Sequence, residues 1–282
     1  TIGENIMIKI FSAIILVTIF TVYAIYKRNS IKITWKNTVD GFKYMVEKIK
    51  ELGFSGTIKV IIKDMFFGRN LFQWIYLLVL GFTPLFIELY FNNGVSDWTG
   101  MIASLTGIIC VILVGEGRAS NYFFGLINSV IYLILSFQNM FYGELFTTLY
   151  FTLMQPIGLF VWLNKSRFKA KEQVLPVKNL DLKGWVKYLT ITAIWWLSFG
   201  FIYQGIGSQR PFRDSVTDGT NGVGQLLMTE LYAEQWFFWI ATNVFSIYLW
   251  WGSNIQIQGM YWVYLLNSIV GWIQWQKQVK KA

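Results

Sequence analysis

The run Ile108-Ile-Cys-Val-Ile-Leu-Val114 decides the class of fold, because it lies without a charged residue inside a longer apolar stretch, residues 98–115. The block 75–80 has the same character. Apolar residues make up 55% of the 282-residue chain and charged residues only 14%, against about 25% in soluble domains. Strands of a membrane barrel would alternate polar and apolar residues. The unbroken blocks therefore predict α-helices that cross a membrane.

The titratable residues limit the chemistry that the chain could perform. It contains no histidine, which removes the commonest metal ligand and the usual general base. Its one cysteine, Cys110, lies inside the apolar run, so no disulfide can form within the chain. We therefore expect no enzymatic activity, no cofactor and no metal site. The net charge of +9 comes from basic residues that cluster in a few loops, which favours the positive-inside rule over nucleic-acid binding.

The N-terminal part of the chain is set apart from the rest. Residues 6–26 are apolar and long enough to span a membrane. A cleaved signal peptide is the alternative, but no small-x-small cleavage site follows, which favours a retained anchor. Residues 27–69 are polar and rich in Lys, and within them 35–52 are predicted to form a basic amphipathic helix on the membrane surface.

Further helices are expected in the remainder of the chain, and the loops between them set their direction. Basic residues occur in alternate loops, whereas the loops 92–97, 138–144 and 253–258 contain none; the exception is the pair Arg210 and Arg213. This alternation predicts a cytoplasmic C-terminus. The polar residues 217–224 make one of the helices too polar to face lipid. The predicted helices are 71–91, 98–115, 119–137, 145–163, 185–204, 214–231, 234–251 and 259–275.

Two parts of the chain resemble each other. The string Asn121-Tyr-Phe-Phe-Gly-Leu-Ile-Asn128 corresponds to Trp236-Phe-Phe-Trp-Ile-Ala-Thr-Asn243, which matches Asn128 with Asn243. Each string is followed by a helix, a charge-poor loop and a second helix. The second helix of the first part ends with Gly158 and Trp162, and the second helix of the other part ends with Gly271 and Trp275. Chance similarity between apolar helices is the alternative explanation.

The repeat predicts an all-α integral membrane protein of parallel three-helix repeats joined by a linker helix, in a three-one-three order, with extra helices at the N-terminus. Parallel repeats place a solute site near the middle of the membrane between them. If both units run in the same direction, residues 214–231 must cross the membrane. The predicted boundaries are 1–97 for the extra segments, 98–163 for the first repeat, 185–205 for the linker and 214–276 for the second repeat.

Several of the predicted helices carry amide and aromatic residues on one face. Trp236, Trp239 and Asn243 are three and then four residues apart, which places them on one side of a helix. Amides bind hydroxyl and carboxamide groups, and aromatic faces stack on flat or cationic rings. The alternative is that the amides join helices and the rings form interfacial belts. The predicted solute-binding residues are Trp236, Trp239, Asn243, Asn128, Gln155, Gln225, Tyr132 and Asn121.

Charge is scarce within the predicted membrane helices. Asp218 is the only carboxylate expected to lie deep in the membrane, and no Lys or Arg is expected in the cavity. The acids near predicted helix ends are expected to be solvated; these are Glu88, Glu144, Glu230 and Glu234. Proton-coupled carriers use buried carboxylates or histidines as relays. We therefore expect facilitated diffusion without ion coupling. A cavity without basic residues also disfavours anionic solutes.

The string 121–128, the Trp236-x-x-Trp239-x-x-x-Asn243 pattern and the closing Gly158-x-x-x-Trp162 resemble the PnuC family of bacterial vitamin transporters. The resemblance covers about residues 98–281. It implies a fold like that of the SWEET sugar transporters, a homotrimer in the bacterial inner membrane, and uptake of nicotinamide riboside, a precursor of NAD. It also implies that a cytoplasmic kinase traps the riboside by phosphorylation. One departure is that residues 217–224 are more polar than the family's usual helix at this place.

Three rival interpretations remain on the sequence alone. Another vitamin, above all thiamine and also riboflavin, could be the solute, because sister families carry these compounds. A membrane-embedded enzyme would need clustered acids or a nucleophile and base, and without histidine the usual motifs cannot exist. A receptor that binds a solute without transporting it is the third.

Overall fold

The fold comes from a computed structural model that describes residues 28–91, 98–138, 142–167, 176–208, 210–249, 251 and 255–279. The predicted segment 6–26 lies outside them. The described residues form nine α-helices, in agreement with the predicted all-α class. In chain order the helices are α1 (Arg28–Phe66), α2 (Leu71–Phe91), α3 (Trp98–Gly115), α4 (Asn121–Gln138), α5 (Tyr142–Arg167), α6 (Leu182–Gly205), α7 (Pro211–Thr229), α8 (Gln235–Leu249) and α9 (Ile255–Val279).

Six of these helices form a closed ring. Each of α3, α4, α5, α7, α8 and α9 packs against the next, and α9 packs back against α3. Outside the ring, α6 packs on α7, α1 on α5, and α2 on α3. The ring therefore places the predicted first unit, α3 to α5, against the predicted second unit, α7 to α9, with α6 at the periphery.

Three described helices are long and apolar enough to cross a membrane: Trp98–Gly115, Leu145–Lys165 and Leu182–Gly205. The bent pair formed by Ile31–Phe66 and Leu71–Phe86, which meet at 90°, would make a fourth. Helix α7 is not among them, because polar residues such as Asp218 and Gln225 interrupt its apolar sequence. Those side chains are buried within the bundle.

Helix α1 is longer than the predicted amphipathic helix and consists of two pieces. They join at Gly53, whose φ of 67° lies in the left-handed region that glycine adopts without strain. The first piece packs closely on α5: a Cβ on Gly41 would lie 1.9 Å from the carbonyl oxygen of Phe160. Asn164 donates a hydrogen bond to Asn37 over 3.0 Å. The amphipathic helix is thus attached to the bundle through one of its faces.

An ion-pair cluster joins the α1–α2 connection to the start of α4. Arg69 and Glu116 form a salt bridge of 2.9 Å, and both side chains are almost fully buried. Arg118 pairs with the same carboxylate at 2.5 Å. Asp64 accepts the backbone N–H of Ser120 over 2.8 Å. A buried pair of this kind is costly to break from one side, so the cluster fixes the outer helices to the ring.

Four aromatic rings lie at one end of the ring of helices. Tyr122 meets Trp162 edge to face at 5.1 Å, and Trp236 meets Trp275 edge to face at 6.1 Å. Trp162 and Trp275 in turn lie 5.9 Å apart. Because Tyr122 and Trp236 occupy the first turns of α4 and α8, those two helices begin at the same end of the bundle.

The same end holds two hydrogen bonds that cross between the units. The indole nitrogen of Trp162, on α5, donates to the carbonyl oxygen of Met228 on α7 over 3.0 Å. The indole nitrogen of Trp275, on α9, donates to the carbonyl oxygen of Val114 on α3 over 2.9 Å. Each predicted unit is therefore closed by a tryptophan that binds the first helix of the other.

The matching contacts correct the predicted alignment of the two strings by one residue. Gly158 lies against the ring of Tyr122, and Gly271 lies against the ring of Trp236, so Tyr122 and Trp236 occupy equivalent places. Seven residues further along each helix come Ser129 and Asn243. The contacts thus pair Asn243 with Ser129, whereas the sequence match pairs it with Asn128. Both strings end in Asn, but their first residues, Asn121 and Trp236, do not make equivalent contacts.

Candidate functional site

The ring of helices encloses a cavity of about 820 Å³. It extends from the buried Trp236 at the aromatic end to the exposed connection between α6 and α7, where Ile206 and Arg210 line it. All six helices of the ring contribute side chains. A volume of this size is within the range of sites that bind small organic molecules.

Seven of the eight predicted site residues line this cavity: Trp236, Trp239, Asn243, Asn128, Gln155, Gln225 and Tyr132. Asn121 does not line it. Its side chain is fully buried, and its amide nitrogen donates to the carbonyl oxygen of Arg118 over 2.6 Å. Asn121 therefore binds the turn before α4 and does not line the cavity.

An aromatic wall lines one side of the cavity and consists of Phe151 and Trp239. Their ring centroids lie 6.2 Å apart at 50°. A Cβ on Gly224 would lie 3.2 Å from the indole of Trp239, so the absence of a side chain on α7 lets the ring lie against its backbone. The indole nitrogen donates to Gln235 over 3.3 Å within α8. The wall thus offers aromatic surface on which a flat ring could stack.

The amides that line the cavity divide into two kinds. Asn128 donates to the carbonyl oxygen of Ala103 over 2.7 Å, and Asn243 donates to the hydroxyl of Ser268 over 3.1 Å. Gln155 and Gln225 are also buried, but the Oε1 atom of the first and the Nε2 atom of the second have no hydrogen-bond partner among the described residues. An unsatisfied buried amide group costs about 1–3 kcal/mol. Both residues line the cavity, but neither atom has appreciable accessible surface, so the side chains must turn before these atoms can bind a solute.

Charged residues also line the cavity, and they differ in part from the prediction. Asp218 is buried, as expected for the deepest carboxylate. Asp214 and Arg210 line the cavity closer to the start of α7. The prediction of a cavity without basic residues is therefore wrong, because the connection before α7 folds its exposed Arg210 to the rim.

Other lining residues were missed by sequence reasoning, although some carried a usable signal. Tyr261, Tyr264 and Ser268 on α9 have the same three-and-four spacing as the Trp236 stripe. They correspond to Thr148, Phe151 and Gln155 on α5 at the same separation as Gly271 and Gly158. Tyr203 on α6 had no such signal, because the linker helix has no counterpart in the repeat.

One acid that is predicted to be solvated is in fact buried, at the end of the bundle that is predicted to face the cytoplasm. Glu234, in the turn between α7 and α8, has 7% of its surface exposed. Burial raises the pKa of its carboxyl group, and two backbone N–H groups oppose that rise. The prediction that Glu234 is solvated is wrong. A β-bridge between Lys178 and Tyr232 attaches the turn that contains Glu234 to the segment before α6.

Comparisons with known proteins agree with the fold and with the predicted family. The nicotinamide mononucleotide transporter family model matches residues 97–277. The nicotinamide riboside transporter PnuC of Haemophilus influenzae is 39% identical over 189 residues, which cover 66% of this chain and 83% of the relative. The corresponding protein of Neisseria mucosa is 32% identical over 230 residues, covering 78% and 86%.

A solved structure of a PnuC protein has a similar fold. The crystal structure of the vitamin B3 transporter PnuC superposes with a TM-score of 0.66 at 29% identity, covering 78% of this chain and 96% of that one. The relatives are transporters and not enzymes, so the predicted absence of enzymatic activity is confirmed. With the ring of helices, the enclosed cavity and the matched sequence taken together, this chain belongs to the PnuC family of membrane transporters.

Proposed function

We propose that this chain carries nicotinamide riboside across the membrane, in common with the substrate named for its relatives. The observation that carries the proposal is the aromatic wall of Phe151 and Trp239 in a cavity that the amide residues Gln155 and Gln225 also line. The riboside has a flat cationic ring and a carboxamide with an acceptor oxygen and a nitrogen that carries two donor hydrogens. Aromatic faces attract such a ring, and the carboxamide and hydroxyls can satisfy the amides.

The name of the family model suggests the mononucleotide as the solute. The charged residues of the cavity support the riboside instead. A phosphate group is held in proteins by arginine, lysine or clustered backbone N–H groups. Here the lining holds the exposed Arg210 and two carboxylates, Asp214 and Asp218. The carboxylates would repel a phosphate dianion, whereas they would attract a cation.

We propose facilitated diffusion as the mode of transport. The resemblance to the family supports it, and phosphorylation by a cytoplasmic kinase would trap the riboside after entry. Movement without an ion gradient also requires a second conformation, because the buried pair Trp162 and Trp275 blocks the aromatic end of the bundle in the present one. The opening of that end would release the solute.

The parallel three-one-three arrangement is proposed on the same contacts. The equivalent places of Gly158 and Gly271, and the two crossing indole bonds, support units that run in the same direction. The aromatic end also carries Arg69, Arg118 and Lys178, which supports a cytoplasmic location for it and for the C-terminus in the inner membrane. A homotrimer is proposed from the family resemblance, and light scattering of the purified protein would measure it.

Uptake into liposomes that contain only this chain tests the function. We expect labelled nicotinamide riboside to enter without an ion gradient and to be displaced by unlabelled riboside. Thiamine and riboflavin serve as competitors, because thiamine is also a flat cation. Stronger competition by thiamine or by the mononucleotide than by the riboside itself would assign the site to that compound. Absence of uptake with intact binding would make the chain a receptor.

A further inference from the structure

Asp218 is held on the cavity wall by two neighbouring helices. The hydroxyl of Tyr203, on α6, donates to its Oδ2 atom over 2.7 Å. The hydroxyl of Thr147, on α5, donates to its Oδ1 atom. Each carboxylate oxygen thus accepts a hydrogen bond, which is the pattern of an ionised carboxylate. The side chain is fixed from both sides while it still lines the cavity.

The carboxylate lies close to the aromatic wall. Thr147 precedes Phe151 by four residues on α5, which is about 6 Å along the helix axis. Asp218 precedes Gly224, which contacts Trp239, by six residues on α7, or about 9 Å. A cationic ring stacked on the wall would therefore lie within about two helical turns of Asp218.

The other two charged residues of the lining stand further toward the start of α7. Asp214 lies one turn before Asp218, and Arg210 precedes the first residue of that helix. Arg210 is exposed, so water screens it. The buried part of the cavity therefore contains a carboxylate and lacks a lysine or arginine among its described lining residues.

We propose that Asp218 determines the charge selectivity of the cavity, favouring a cationic ring over a neutral ring of the same shape. The attraction between a carboxylate and a cation is stronger at a buried site than in water, because the effective dielectric constant is lower. A neutral ring would gain the stacking but not this attraction. The inference rests on the proposed function, since it concerns the ring charge of the riboside.

The test compares two compounds of nearly equal shape, nicotinamide riboside and its uncharged dihydro form. Binding of both to the purified full chain is measured by calorimetry for the native sequence, Asp218→Asn and Tyr203→Phe. Asp181→Asn is the matched control, because Asp181 caps α6 outside the cavity and Asn caps a helix equally well. Monodispersity and the melting temperature check the fold of each variant.

We expect Asp218→Asn to weaken binding of the cation at least tenfold and to change binding of the dihydro form less than twofold. Tyr203→Phe keeps the carboxylate and should keep the preference for the cation. Equal loss for both compounds, or no loss for either, overturns the inference. If Asp218→Asn does not fold, Asp218→Ser gives the same comparison. If the native chain binds thiamine but neither form of the riboside, the proposed function is contradicted, and the inference fails with it. If the riboside binds normally and Asp218→Asn keeps the preference for the cation, only the inference is overturned.

Discussion

The indole rings of Trp162 and Trp275 lie 5.9 Å apart, inclined at 48°, where the last turns of α5 and α9 meet. Neither side chain has measurable exposed surface. Each indole nitrogen donates to a carbonyl oxygen of the opposite unit, that of Met228 or that of Val114. The pair thus blocks the end of the bundle beyond Trp236, which lines the cavity, and joins the two units at the same place, so a solute that leaves at this end must separate them.

Trp275→Phe tests the energetic part of this closure. The substitution keeps an aromatic ring and removes the donor to Val114, so the chain should lose about 1–3 kcal/mol of stability. Thermal unfolding in detergent would show it as a lower melting temperature. Trp262→Phe, on the exposed side of α9, is the control and should change little. A melting temperature equal to the native value in Trp275→Phe would mean that the bond adds no stability.

Gly271→Ala tests the contact between α9 and Trp236. The new Cβ would lie 2.5 Å from the indole ring, so the ring must move, and the space beside it is the cavity. We expect a lower melting temperature and weaker riboside binding. Gly158→Ala, whose Cβ would lie 2.3 Å from Tyr122, should lower the melting temperature in the same way.

Gly81→Ala is the matched control for both glycine variants. A Cβ at this helical position on α2 meets nothing within 4 Å. Alanine favours a helix over glycine by about 1 kcal/mol, so this variant should be as stable as the native chain or more so. Equal effects of all three substitutions would show that close ring packing is not the cause.

Two of the long apolar helices could be predicted to the residue. Helices α2 and α3 begin and end where the sequence indicates, at Leu71–Phe91 and Trp98–Gly115, because charged or polar residues flank an unbroken apolar run. The break of α1 at Gly53 could not, since a glycine inside a polar helix carries no distinguishing signal. The one-residue shift between Asn128 and Asn243 also needed coordinates, because it depends on which ring contacts which glycine.

The cavity could be predicted in part, for a physical reason. Helical periodicity identifies residues that share a face, and this was sufficient for Trp239 and Gln155. Periodicity does not distinguish a face that lines a cavity from a face that binds a neighbouring turn, which is why the pattern also predicts Asn121 as a site residue. Connections have no periodicity at all, so the position of Arg210 at the rim followed only from the folded chain.

Glu234→Gln should stabilise the chain at neutral pH. Burial raises the pKa of this carboxyl group, so the folded chain binds the proton more tightly than the unfolded chain does. Stability therefore falls as pH rises through the interval between the unfolded pKa of about 4.3 and the raised folded pKa, and stays lower above it. Glutamine cannot ionise and avoids this loss.

The measurement is the melting temperature of both proteins between about pH 4 and pH 8, a range that contains the interval. The advantage of Glu234→Gln should be largest at pH 8 and shrink toward pH 4. Glu51→Gln, an exposed position on α1, is the control. An advantage that does not change with pH would mean that lost ionisation is not its source.

Transport should be independent of ion gradients. The described lining has two carboxylates, and one of them is fixed by Tyr203 and Thr147, so it is poorly placed to carry a proton between two conformations. We expect the riboside concentration inside liposomes to approach the outside concentration and not exceed it. An imposed proton or sodium gradient that drives accumulation above this level would contradict the prediction.

Trp239→Ala and Asn243→Leu test the cavity as a binding site. Trp239 supplies half of the aromatic wall, and its loss should weaken riboside binding at least tenfold, about 1.4 kcal/mol. Asn243 binds Ser268, whose hydroxyl also donates to the carbonyl oxygen of Tyr264. Because Ser268 keeps that second bond, Asn243→Leu should leave the fold intact while it removes a polar group from the cavity. The same tenfold loss of affinity is expected.

Trp262→Ala is the matched control for Trp239→Ala, because both remove an indole but Trp262 lies on the exposed surface of α9 and does not line the cavity. Its affinity should equal that of the native chain. Calorimetry on folded, monodisperse protein measures all three variants. Native affinity in both Trp239→Ala and Asn243→Leu would show that these residues only join helices, since lost stacking and a lost polar contact must weaken a solute that they bind. A loss in Trp262→Ala as large as that in Trp239→Ala would instead place the effect in general packing.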